Sequence, residues 1–114
     1  MIKDKFEIQV VEWSFVAWKF VVQRNRIINA VGKDIEVWMD GGIRSGQDVL
    51  KAWALGARGT MIGRPFLYGL GAMGEQGVTK CLEIIHRELD ITMAFTGHRD
   101  IQNVTKDILY PGTF

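Results

Sequence analysis

Residues 35–64 read IEVWMDGGIRSGQDVLKAWALGARGTMIGR, and the order of elements within that run decides the fold. The apolar stretch Ile35–Met39 predicts a strand that runs straight into Asp40-Gly41-Gly42. Ser45 is a natural helix N-cap, and Asp48 three residues on gives a Ser-x-x-Asp arrangement resembling a capping box. Val49, Leu50, Trp53 and Ala54 supply the buried stripe of that helix, leaving Gln47 and Lys51 to solvent. Gly56 stops it, and a second strand, Gly59–Ile62, leads into Gly63-Arg64-Pro65. Strand, helix, strand is a βαβ unit, so the two strands run parallel and the fold is α/β.

Both strands deliver glycine and then arginine at their carboxyl ends, where parallel α/β sheets place their ligands. Glycine lets backbone N–H groups approach an anion closely and tolerates positive φ. Arginine adds a permanent charge with a planar donor fork that matches phosphate oxygens. A helix N-terminus beside such a turn adds oriented N–H groups and partial positive charge. The repetition of this pairing at equivalent points predicts one phosphate gripped from neighbouring strand ends. The competing reading is ordinary glycine turns with solvated arginines.

The rest of the chain sets bounds. A length of 114 residues allows one domain, and 47% apolar with 24% charged residues is the balance of a globular protein. A net charge of +1 predicts no bulk attraction to nucleic acid or to an acidic membrane. The single cysteine, Cys81, excludes an internal disulfide and fits a reducing, cytoplasmic setting; its helical apolar neighbours predict a buried, inert thiol. The start mixes Lys3, Asp4, Lys5 and Glu7, unlike a signal peptide, and the apolar run Trp13–Val22, broken by Lys19, is about half the ~20 residues of a membrane span.

Phe6, Ile8 and Val10 alternate as in a short strand, and from Glu12 a helical pattern through Phe15, Trp18, Val22 and Ile27 ends at Gly32. Trp13 and Trp18 read as core or interface anchors. Downstream, Phe66–Met73 predicts a helical turn or two, and Gln76–Phe95 a long helix with Val78, Leu82, Ile85, Leu89 and Met93 as its apolar stripe. Glu83 and Arg87 pair on its wet side, His86 lies beside them, and Gly97 ends it before a short helical piece within Asp100–Leu109. Gly69-Leu-Gly71-Ala-Met-Gly74 matches GxGxxG literally, but a dinucleotide fingerprint requires the first glycine directly after a strand. Here Arg64–Tyr68 intervene, so these glycines read as close-packing or bend positions. One cysteine and two distant histidines cannot assemble a zinc site.

The run EVWMDGGIRSGQDVLKAWALGARGTMIGRPFLYGLGAMGEQGV, residues 36–78, resembles the end of the barrel in the FMN-dependent α-hydroxy acid dehydrogenase and oxidase family. That family includes L-lactate dehydrogenase, lactate oxidase and glycolate oxidase. The likeness continues through LEIIHRELDITMAFTGHRDI and covers about two-thirds of the chain. Its first part is shared with other phosphate-binding barrels, inosine monophosphate dehydrogenases and type 2 isopentenyl diphosphate isomerases among them. The following G-R-P-F-L-Y-G-L-G-A-x-G-E-x-G-V selects the hydroxy acid group. The resemblance implies the last two βα units of a (β/α)8 TIM barrel plus C-terminal helices, an incomplete barrel. It implies a divergent segment over residues 1–30 and barrel units over residues 31–114.

By the same resemblance, Asp40, Gly41, Gly42 and Arg44 line the FMN phosphate and ribityl end, and Gly63 and Arg64 hold the phosphate from the next strand. The family's Ser-Asn-His-Gly-Gly-Arg motif, whose histidine is the base and whose arginine clamps the substrate carboxylate, does not occur between Met1 and Asp34. The only histidines, His86 and His98, lie downstream, so no catalytic residue is assigned. The implied function is the FMN-phosphate-holding C-terminal part of a 2-hydroxy acid oxidoreductase, inactive as this chain alone. The alternatives are a non-catalytic phosphate- or flavin-binding module and a truncated, oligomerising remnant. Expected partners are a 2-hydroxy acid substrate in the complete enzyme, and further copies of the chain or the remaining barrel, because two strands leave sheet edges and apolar faces open.

Overall fold

The computed structural model describes residues 26–111 of the chain. The strand expected over Phe6–Val11, the helical face through Phe15, Trp18 and Val22, and the anchoring role of Trp13 and Trp18 lie outside those residues. Positions 26–31 are helical, and the helix gives way at Gly32, whose N–H donates to the Ile28 carbonyl at 2.8 Å.

The first strand, β1, is Trp38–Asp40, later and shorter than the expected Ile35–Met39. The Asp34 and Ile35 N–H groups both donate back to the Val31 carbonyl, at 2.9 and 3.0 Å, so Ile35 belongs to the turn that closes the preceding helix. Val37 makes one ladder contact, its carbonyl accepting from Arg58 N–H at 2.8 Å. The second strand, β2, is Gly59–Met61, one residue shorter than expected. The two pair in parallel with Trp38 opposite Gly59, Met39 opposite Thr60 and Asp40 opposite Met61. Trp38 lies across Gly59, where an added Cβ would come within 2.5 Å of the indole.

Helix α1, Gly46–Ala54, crosses between the strands. Ser45 caps it as expected, its Oγ accepting from Asp48 N–H at 3.3 Å. The Asp48 carboxylate departs from the standard box: it accepts from Ser45 Oγ at 3.1 Å and from Arg44 N–H at 3.1 Å. Gly56, at φ 107°, turns the chain out of the helix with its N–H on the Trp53 carbonyl. Residue Arg58 then lies over the Trp53 ring, 4.5 Å from its centroid.

Two apolar clusters flank α1. On the sheet side Met39, Ile43, Ala52 and Ala57 close together with Val49 and Ile62. On the other side Leu50, Ala54, Met93 and Val104 pack with Trp53, Leu89 and the C-terminal turns. Among the described residues Leu50 is the largest side chain fully removed from water, at 1% exposure, which contributes about 1.5–3 kcal/mol. The amphipathic reading of α1 therefore holds, with Ala52 adding a second buried face.

The segment after β2 is more ordered than a turn or two. Helix α2 spans Arg64–Met73 and helix α3 spans Glu75–Phe95. Gly74, at φ 62°, bends one into the other. Gly69 and Gly77 face each other where the helices cross, with each backbone carbonyl in the space the other's Cβ would need. Two positions of the GxGxxG run, Gly69 and Gly74, are thus the close-packing and bend positions expected, whereas Gly71 faces open space.

The stripe of α3 is only partly buried. Met93 is buried and Val78, Ile85 and Leu89 are half-buried, but Leu82 is 53% exposed. The helix meets α2 at Gly77–Val78 and α1 at Ile85–Leu89, and Leu82 stands between the two crossings. Cys81 is half-buried rather than buried for the same reason. Glu83 pairs with Lys80 at 3.4 Å instead of Arg87, an exposed contact of little energetic weight. Gly97, at φ 78°, ends α3 with His98 N–H returning to the Met93 carbonyl at 2.9 Å. Two single-turn 3-10 helices, Ile101–Asn103 and Lys106–Ile108, follow.

Candidate functional site

The parallel register is what brings the sequence-predicted residues together. Asp40 and Met61 are the last paired residues, so Gly41-Gly42 and Ile62-Gly63 leave the sheet side by side at its carboxyl edge. Gly41 and Gly42 take φ of 90° and 78°, which an L side chain resists by about 1–2 kcal/mol. This pair of turns is glycine for a backbone reason. At Gly42 and Gly63 no atom lies within 4 Å of where a Cβ would stand, so both backbones are open to a ligand. Ile43, 5% exposed, anchors the first loop in the sheet-side core directly after the glycines. Arg44 and Arg64 are exposed, Asp40 and Gly41 half-buried.

The helix N-termini beside the two loops differ. That of α1 is occupied by the chain's own groups: Ser45 caps Asp48 N–H, Asp48 takes Arg44 N–H, and Glu88 Oε2 takes Gly46 N–H at 3.0 Å. That of α2 has Gly63 as its N-cap with no side-chain cap, and Pro65 in its first turn. Leu67 N–H is the first to close the helix, on the Gly63 carbonyl at 3.3 Å. The N–H groups of Arg64 and Phe66 are therefore the first-turn donors of α2, at the positive end of its dipole. Two carboxylates, those of Asp48 and Glu88, thus sit at the start of α1, and the first turn of α2 has no acidic residue.

Glu88 was not among the residues singled out from the sequence. It lies 42 positions from Gly46, on a helix whose local pattern gives no sign of that contact. A cysteine, histidine or carboxylate grouping able to hold a metal does not occur among the described residues. Nor is any helix among them long and apolar enough to cross a membrane. His86 is exposed on α3, and His98 lies beyond it with Nδ1 3.3 Å from Thr96 Oγ1.

Open glycine backbones, an uncapped helix start and an exposed arginine on each of the two loops leaving one sheet edge define an α/β protein with a phosphate-compatible strand end. Comparison with known proteins makes that more specific. Residues 22–111 match the family model described as FMN-dependent dehydrogenase, and the chain belongs to that family. It is 49% identical over 83 residues to the L-lactate dehydrogenase of Caulobacter vibrioides, covering 73% of this chain and 22% of that protein. Against the 2-hydroxyacid oxidase 2 of Mus musculus it is 47% identical over 83 residues, 73% of this chain and 24% of that one.

Among solved structures, a flavocytochrome b2 mutant with pyruvate bound superposes with a TM-score of 0.73 and 37% identity, over 83% of this chain and 25% of that chain. A mandelate oxidase mutant with an FMN adduct superposes at 0.70 with 40% identity, over 74% and 27%. The chain spans about a quarter of the length of these relatives. FMN is the cofactor of the family, and the chemistry of the donor set (backbone N–H groups and arginines open to solvent) fits its phosphate.

Proposed function

We propose that this chain is the FMN-phosphate-holding C-terminal part of an FMN-dependent oxidoreductase that converts a 2-hydroxy acid to a 2-oxo acid. It supplies the last two βα units of a (β/α)8 barrel and the helices after them, within residues 31–114, with residues 1–30 a segment of separate character. The observation that carries the reading is the register that sets Gly41-Gly42 beside Ile62-Gly63 at the carboxyl edge, next to the uncapped start of α2.

In this reading Gly41, Gly42 and Gly63 bring backbone to the phosphate, Arg64 and the first turn of α2 neutralise it, and Asp40 and Arg44 border the ribityl end. FMN, when bound, supplies the electron acceptor. The chain's own contribution is electrostatic anchoring and orientation. No histidine lies beside these loops in sequence, and the two that occur sit on or beyond α3, so a proton acceptor for the substrate hydroxyl comes from elsewhere in a complete barrel. The 114-residue polypeptide alone is accordingly inactive.

A specific observation favours association as well. Leu67, Tyr68, Leu70 and Met73 of α2 are 48–72% exposed, and Phe95 of α3 is 88% exposed, which is much apolar surface for so short a chain. The remaining barrel, or further copies of the chain, would cover it. Titration of the chain with FMN, followed by flavin fluorescence, tests the binding reading. Replacing both Arg44 and Arg64 by alanine should weaken FMN by about tenfold or more. No FMN binding by the unaltered chain, or no response to that double substitution, supports the remnant reading instead. Bleaching of FMN by L-lactate or glycolate in the presence of the chain alone would contradict its inactivity.

A further inference from the structure

We infer that Glu88 is a positioning residue for the phosphate loop Asp40–Arg44, acting across the fold from α3 through the N-terminus of α1. This deepens, and rests on, the reading of that loop as part of an FMN-phosphate site. Its Oε2 accepts the Gly46 N–H at 3.0 Å, a part-buried contact between groups 42 residues apart. Gly46 is buried and pressed directly on α3, where an added Cβ would lie 2.5 Å from both the Glu88 carbonyl carbon and the Ile85 carbonyl oxygen. The first residue of α1 is thus fixed to α3 by sterics and by a charge-assisted hydrogen bond together.

From Gly46 the restraint passes backwards along the chain. Ser45 and Asp48 bond each other in both directions, and the Asp48 carboxylate also accepts the Arg44 N–H. Arg44 is therefore held by its main chain alone, with its side chain exposed and available. Ahead of it Ile43 is buried, leaving only the two positive-φ glycines between that anchor and Asp40. Release of Gly46 loosens the downstream end of a loop whose upstream end is strand.

Glu88 and Asp48 also place negative charge at the start of α1, where an anion would otherwise be favoured. The start of α2 has no such side chain. Both Glu88→Ala and Glu88→Gln lose the Glu88 charge alike, so the difference between them reads the hydrogen bond to Gly46.

The test uses the full chain and two variants, Glu88→Ala and Glu88→Gln; the glutamine keeps an acceptor oxygen and removes the charge. Backbone amide exchange by NMR on the free chain should show the Gly46 and Arg44 amides exchanging about tenfold faster or more in Glu88→Ala, and restored in Glu88→Gln. Near-UV circular dichroism identifies a variant that has lost its packing. With FMN and riboflavin as probes, Glu88→Ala should lose about tenfold of the preference for FMN over riboflavin, and Glu88→Gln should recover it.

Arg44 exchange unchanged in Glu88→Ala overturns the inference whatever the flavin result. So does a Glu88→Ala chain whose FMN preference equals that of the unaltered chain. The exchange pattern as expected, with no FMN binding by the unaltered chain, refutes the cofactor reading and reduces Glu88 to a structural clamp.

Discussion

Alanine at Gly71 and alanine at Gly69 should carry opposite signs, although the two glycines are near neighbours in one GxGxxG run. Gly71 sits in the interior of α2 with nothing within 4 Å of the position a Cβ would take. Its backbone is helical and its φ negative, so Gly71→Ala gains helix propensity of about 0.5–1 kcal/mol and meets no obstacle. At Gly69 the same propensity gain is available, but the new Cβ would stand 2.8 Å from the Gly77 carbonyl carbon and 3.3 Å from Val78 N. The obstructing atoms are backbone and cannot rotate aside, so the cost lies toward the upper end of the ~1–3 kcal/mol seen for overpacking. The net expectation is a loss of about 2 kcal/mol for Gly69→Ala. The two variants should therefore differ by about 2.5–3 kcal/mol, and their melting temperatures by roughly 10 °C or more for a domain of this size. Urea and thermal unfolding followed by far-UV circular dichroism measure both. If Gly71→Ala destabilises as much as Gly69→Ala, or if both are neutral, the close crossing of α2 and α3 does not explain these glycines.

Leu50→Ala removes the one large side chain that is fully buried among the described residues, and it should cost about 2–5 kcal/mol in urea unfolding, because Met93, Val104 and Ala54 around it come from three different segments. Ser45→Ala deletes the N-cap of α1 and should cost about 0.5–2 kcal/mol, with faster amide exchange at Asp48 as its local mark. Gly42→Ala meets open space but forces a side chain to φ 78°, so it should cost about 1–2 kcal/mol in stability and also weaken FMN in the fluorescence titration. Lys80→Ala, which breaks an exposed ion pair, should shift stability by less than about 0.5 kcal/mol.

What the sequence made legible was the part governed by local rules. Ser45, Gly56 and Gly97 punctuate helices because capping depends on one or two residues, and the expectation matched at each. The parallel pairing of β1 and β2 followed from a helix between two short apolar runs. β1 begins later than its apolar run suggests, because the N–H of Ile35 is drawn back to Val31 by the preceding turn. The fate of Leu82 depended on where other helices cross α3, which no spacing within α3 records. Glu88 was invisible for the same reason: its partner is 42 residues away. Periodicity names the faces of a helix, and crossings decide which parts of a face are covered.

The two glycine-arginine ends look alike in sequence and differ in consequence. A carboxylate on the start of α1 stabilises that helix by the same interaction that would hold a phosphate there. The two uses of one N-terminus exclude each other. A chain that takes the first N–H groups of α1 with Ser45 and Glu88, and Arg44 N–H with Asp48, has committed that terminus to holding its own loop in shape. The start of α2 carries glycine, arginine and proline, with no side-chain cap on Gly63 and no acidic residue in its first turn. Proline there sets φ for the first turn without needing a hydrogen-bond partner, so α2 can begin uncapped at little cost. In the proposed reading, the helix terminus of the first copy would shape its own loop and that of the second would be left for the phosphate.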